Sequence, residues 1–136
     1  MVKIFVGLKG SGKTKTLIEM ANTTVDASKG TVVCIEKGTK LIHEITYRAR
    51  LINTDEYHIA DADGLFGFVA GIIASDHDAK DIFVDSALKI CNNDVDSFEY
   101  FVKKVAKLAE AQEVNLVMTS SIAVEDVPEA VRAYIA

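Results

Sequence analysis

The chain has 136 residues, room for one domain with a substantial core. Hydrophobic residues make up 49%, which excludes an intrinsically disordered chain. The formal net charge is −5 and Lys and Arg form no cluster, which argues against a duplex nucleic-acid surface.

"VKIFV" (2–6) reads as a short strand ending at Gly7. Thr14 to about Ala27 reads as a helix with Leu17, Ile18, Ala21 and Val25 on one face. "TVVCIE" (31–36) is a continuous apolar run, the pattern of a strand buried on both sides in a parallel sheet. Leu41, Ile42, Ile45, Ala49 and Ile52 recur at helical spacing and predict a second helix. "YHIA" (57–60) predicts a short edge strand. Residues 64–75 are apolar all round and predict a helix buried within the sandwich, with Gly67 and Gly71 permitting close packing. This stretch is too short to span a bilayer, and no secretory leader pattern precedes the first strand.

"DIFVDS" (81–86) predicts another buried strand. Asp96 and Glu99 have capping-box spacing. After them Phe98, Phe101, Val102, Val105, Leu108 and Ala109 mark an amphipathic helix. "VNLVMTS" (114–120) predicts a fifth strand, and "VPEAVRAYI" (127–135) a last short helix with Pro128 in its first turn. Strand and helix signals alternate throughout. That predicts an α/β fold, a three-layer sandwich with a parallel sheet of about five strands, as one domain over 1–136. Cys34 and Cys91 are isolated and read as buried, reduced thiols of a cytoplasmic protein.

"GLKGSGKT" (7–14) stands between the first strand and the first helix. Gly7-x-x-x-x-Gly12-Lys13-Thr14 fits the phosphate-binding loop pattern in full. Gly7, Gly10 and Gly12 let the backbone curl with no Cβ in the way. Its amides then point inward around a phosphate, and the helix adds its positive end. Lys13 would reach the β- and γ-phosphates, and Thr14 would offer its hydroxyl to Mg²⁺. Lys9, Ser11 and Lys15 complete the expected phosphate contacts. Such a loop needs an acidic residue at the end of a neighbouring strand to hold the ion. Asp85 fits that role, whereas Asp81 opens its strand at the wrong end.

With these residues the chain resembles the P-loop NTPases, whose loop is the Walker A motif, and among them the RecA-like ATPase cores. The resemblance covers roughly residues 2 to 120. It implies a fifth strand lying between the first and the fourth. It implies ATP and Mg²⁺ as ligands and slow hydrolysis as the activity. It implies Glu36, at the end of "VVCIE", as the catalytic base alongside Lys13, and Thr119 or Ser120 as the sensor of the γ-phosphate. Ser86 stands where many ATPases carry a glutamate after the metal aspartate. Arg48, Arg50 and Arg132 are candidate arginine fingers, but each also reads as a helix-surface charge.

A nucleotide is therefore the expected ligand. A second copy of the chain, giving a homo-oligomer, or another protein is the candidate macromolecular partner; neither a membrane nor nucleic acid is expected. Two further readings stand beside the ATPase: a binding module that responds to nucleotide without turnover, and a small-molecule kinase. The thymidine-kinase type also shares the loop, but its cysteine cluster is absent here. Asp76, His77 and Asp78 read as a solvated turn, and Asp61 and Asp63 as caps of the following helix.

Overall fold

The computed structural model describes all residues, 1–136. Five strands form one all-parallel sheet: β1 (Val2–Gly7), β2 (Thr31–Glu36), β3 (Arg50–Asn53), β4 (Ala79–Val84) and β5 (Asn115–Ser121). Their order across the sheet is β1-β5-β4-β2-β3, so the fifth strand lies between the first and the fourth, as expected. The helices are α1 (Lys13–Ala27), α2 (Ala62–Ser75), α3 (Ala87–Ile90) and α4 (Val95–Ala111).

Side chains alternate across a strand, and the sheet sorts them into two cores. Val32, Cys34, Phe83 and Val117 face one way and pack with Leu17 and Ala21 of α1. Val33, Ile35, Ile82, Val84, Leu116 and Met118 face the other way and pack with α2 and α4, where Phe98 and Phe101 are fully buried. Helices on both faces give the three layers that continuous apolar strands require.

Three expectations about the segment between β2 and β4 are corrected. Residues 38–49 form turns, not a helix, and Ile52 belongs to strand β3. The apolar period did mark burial, since Leu41, Ile45 and Ala49 join the α1-side core. Local bonds override the helix. Asn22 of α1 donates to the Glu44 carbonyl (2.9 Å) and accepts from the Thr46 amide (2.9 Å), and Asn53 accepts from the Gly38 amide (2.8 Å). The edge strand is therefore Arg50–Asn53, one segment before "YHIA", where Thr54–Tyr57 is a 3₁₀ turn. Finally, α2 lies in an outer layer, not enclosed on all sides. Ala62, Leu65, Val69 and Ile73 are buried, whereas Gly67 and Gly71 face solvent, with open space where a Cβ would stand. Its outer aromatics are screened by neighbours. The Lys104 ammonium lies 4.3 Å from the Phe66 ring centre, and Tyr57 packs on Phe68.

The caps follow the same local logic. Asp61 caps α2, accepting from the Gly64 amide at 2.7 Å. Asp94, not Asp96, caps α4. It accepts from the Asp96 amide (3.2 Å) and the Ser97 hydroxyl (2.7 Å), and the latter chiefly holds its carboxyl below the usual range. The last predicted helix is a 3₁₀ segment, Glu129–Tyr134. Beyond it Ile135 runs parallel to Ile4, and the Ala136 amide bonds the Ile4 carbonyl (2.9 Å), along the outer side of β1. No helix is long and apolar enough to cross a membrane.

Cys34 and Cys91 are each 1% exposed, and burial pushes both thiols up to about 12. Nearby carboxylates add to this, Glu36 for Cys34 and Asp61 and Asp94 for Cys91. A water-soluble aromatic disulfide at mildly alkaline pH will therefore leave the native thiols unreacted, and both will react in urea. Rapid labelling of the native chain would contradict this burial.

Candidate functional site

The site is set by the carboxyl ends of four strands, where open parallel sheets leave a crevice. Strand parity decides what enters it. Cys34, Phe83 and Val117 point to the α1 side, so Glu36, Asp85 and Thr119, each two residues on, point the same way. Ser120 has the opposite parity, shared with Met118 of the other core.

The glycine-rich loop leaves β1 and enters α1 through two left-handed glycines, Gly10 (φ 91°) and Gly12 (φ 85°). Gly12 occupies the cap position of α1 and offers no side chain. Within the loop the Ser11 amide bonds the Leu8 carbonyl (3.2 Å), and the Thr16 amide bonds the Gly12 carbonyl (3.1 Å). The amides of Gly10, Gly12, Lys13, Thr14 and Lys15 bond no oxygen of the chain. These free donors stand at a helix N-terminus on the border of a cavity, a place that attracts an anion. Lys13 Nζ folds back on the loop, donating to the Leu8 carbonyl (3.2 Å) and Ser11 Oγ (3.5 Å).

Behind the loop sits a hydrogen-bonded knot. Thr14 Oγ1 donates to Asp85 Oδ1 at 3.0 Å, linking α1 to the end of β4. Thr119 Oγ1, at the end of β5, donates to the same oxygen at 2.8 Å and accepts from the Ser86 amide at 2.8 Å. Ser86 Oγ approaches Asp85 Oδ2 at 3.3 Å. Ser86 itself holds φ 59°, left-handed backbone that a serine adopts only under local restraint.

These parts border a cavity of about 580 Å³. Lys9, Gly10, Gly12, Lys13, Thr14, Lys15, Glu36 and Asp85 line it, all expected from sequence. Gly7, Ser11, Thr119 and Ser120 do not. Gly7 underlies the loop, where an added Cβ would meet Ser11 Oγ at 2.7 Å. Thr119 is buried behind Asp85, and Ser120 Oγ is buried with no hydrogen-bond partner. Ser86, read from sequence only as the residue that follows Asp85, also lines the cavity, and sequence reasoning missed Ser121, Lys37, Lys40, Lys89 and Asn93, which line it too. Ser121 could have been found from parity, because it stands two residues beyond Thr119. The lysines carry no spacing signal. Lys37 is paired with Asp55 at 2.7 Å, on the surface where such a pair contributes little.

Glu36 is only 2% exposed. Its oxygens accept the backbone amides of Lys40 and Leu41, each at 3.1 Å, so the carboxylate anchors the 38–49 turns. Burial pushes its carboxyl above the ordinary value of 4.5, these two amides pull it back, and the Asp85 carboxylate raises it further. The candidate arginines are engaged elsewhere or exposed. Arg48 pairs with Asp26, Arg132 donates to the Val124 and Glu125 carbonyls, and Arg50 is exposed on the edge strand. Asp76 accepts from the Asp78 amide in a surface turn (2.9 Å), and no three His, Cys, Asp or Glu side chains converge tightly enough to cage an ion. No protein-family model matches the chain, and no curated protein matches its sequence.

Glu36→Gln tests the anchor. A glutamine presents one acceptor and one donor to the two N–H groups, as the protonated carboxyl does, but it does not titrate. The raised carboxyl value gives the pH sign. Burial outweighs the two amides, so the folded state holds the Glu36 proton more tightly, and the stability contributed by the protonated carboxyl is complete at pH below about 4.5 and is lost as pH rises through the folded value. In urea unfolding, the stability of wild type relative to Glu36→Gln will therefore fall from acid pH toward neutrality. A relative stability that rises over that range would contradict the assignment.

Proposed function

We propose that the chain binds the magnesium complex of a nucleoside triphosphate, ATP in preference to GTP, and hydrolyses it slowly. The observation that carries this is the set of unbonded amides at Gly10, Gly12, Lys13, Thr14 and Lys15 beside the Thr14–Asp85 hydrogen bond. The full loop pattern, the strand order and the resemblance to RecA-like P-loop NTPases support the same reading. The absence of an Asn-Lys-x-Asp guanine motif favours ATP.

The residues fit the ion. Thr14 donates its proton to Asp85, which leaves the lone pairs of its oxygen free, and a hydroxyl with a carboxylate is a hard oxygen set suited to Mg²⁺. Bound there, Mg²⁺ would neutralise charge on the transferred phosphoryl group. The loop amides and Lys13 would hold the phosphates, and Lys9 and Lys15 would add charge at the cavity wall. Glu36 is the carboxylate available as base. Each of its oxygens keeps a lone pair after accepting one amide, and a raised carboxyl value brings its basicity nearer to that of a working general base.

A second reading, a module that a partner reads in its nucleotide-bound state, has one observation of its own. Leu8, on the loop, and Ile42, beside the cavity residue Leu41, are 66% and 57% exposed. Apolar side chains on two loops that a ligand would order are suited to such a readout.

Phosphate release from Mg·ATP over many turnovers tests the main reading. Lys13→Ala should lower it about 10²-fold or more by removing charge at the phosphates. Glu36→Gln should lower it about 10²–10⁴-fold while nucleotide binding persists. Loss with Lys13→Ala alone would keep the ATPase and reject Glu36 as base. Binding without turnover in the wild type would favour the module, and phosphate transfer to a small acceptor would favour a kinase.

A further inference from the structure

We infer that Thr119 is a positioning residue for the metal-holding Asp85, and that Ser121, not Thr119 or Ser120, is the polar tip of β5 that meets the phosphates. This rests on the nucleotide reading. The first part follows from hydroxyl bookkeeping. Thr119 Oγ1 has one proton and accepts the Ser86 amide at 2.8 Å, so its proton is directed to Asp85 Oδ1, 2.8 Å away. Thr14 brings a second donor to that oxygen at 3.0 Å. Asp85 Oδ1 is thereby held from two sides, while Oδ2 meets only Ser86 Oγ at 3.3 Å. Oδ2 is the freer oxygen, the one left to face an ion or its water shell.

Thr119 also fixes the backbone that presents Asp85. The chain turns at Ser86 with φ 59°, and the Thr119 hydroxyl is the acceptor that holds the Ser86 amide in that turn. One buried hydroxyl therefore sets the side-chain rotation of Asp85 and the exit path of β4. Thr119 itself is 1% exposed and does not border the cavity, which removes it from contact with a phosphate. Ser121 has the same parity, is exposed and borders the cavity.

Thr119→Val keeps the shape and removes the hydroxyl. Outer partners that orient a metal ligand typically matter about 10–100-fold in metal affinity. Affinity is measured for ATP with Mg²⁺ and for ATP with a chelator. Thr119→Val should weaken the first about 10–100-fold and leave the second unchanged, and Thr119→Ser should restore wild-type binding. In an Asp85→Ala background Thr119→Val should change nothing further. Ser121→Ala should weaken ATP with or without Mg²⁺, since it removes a phosphate contact and not a metal partner.

Equal weakening of both forms by Thr119→Val, no rescue by Thr119→Ser, or an undiminished effect without Asp85 would overturn the positioning role. Unchanged binding by Ser121→Ala would overturn the second part. If Thr119→Val does not fold, Thr119→Ser and Thr119→Cys are compared, and the Mg²⁺-dependent loss must follow the strength of the donor. Failure of the wild type itself to bind Mg·ATP would sink the nucleotide reading and this assignment with it, whereas a fault confined to the variants touches this assignment alone.

Discussion

One oxygen atom, Oδ1 of Asp85, ties together the first turn of α1, the end of β4 and the end of β5. It depends in turn on the period of the strands. Phe83 and Val117 must face α1 for Asp85 and Thr119 to do so, and the α1-side core is what holds them there. A one-residue slip of β4 against β5 would send Asp85 to the other face of the sheet. Apolar packing in mid-sheet thus fixes polar geometry at its end.

The sequence made the sheet and the loop legible because each has a short-range signature. The strands are continuous apolar runs, and the loop is a fixed glycine spacing. Which carboxylate ends a strand can be read by counting. The missing helix over 38–49 shows the limit. Leu41, Ile45 and Ala49 have a helical period and are buried, yet the backbone is held by Asn22, Glu36 and Asn53, which lie outside the segment. Asn22 lies outside any helix-length window around residue 45, and Glu36 and Asn53 stand at the margins of one, where no local pattern marks them as partners. The same reason hid the edge strand at Arg50–Asn53, whose alignment is made by β2. Thr119 and Ser120 looked interchangeable as adjacent polar residues at a strand end. The twofold period that separates them was present in the sequence, but its use required knowing which face carries α1.

Glu36 shows a conflict built into the site. A buried carboxylate loses hydration, and the Lys40 and Leu41 amides offset part of that loss. The same bonds make it a structural part of the loop that forms the cavity wall. Any chemistry assigned to Glu36 is therefore coupled to the conformation of that wall. Lys40 sits in the anchored segment and lines the cavity, so ligand charge felt there would be transmitted to the Glu36 carboxylate through a bonded backbone amide.

The two borders of the sheet have a consequence for the chain in crowded solution. An unpaired strand edge offers a row of amides and carbonyls to any other extended chain. Here one border is β3, only four residues long and opening with the exposed charge of Arg50. The other, β1, is occupied along part of its outer side by Ile135 and Ala136. Neither border presents a long, flat template, so a sheet made of strongly apolar strands is guarded against growing by strand addition from a second molecule.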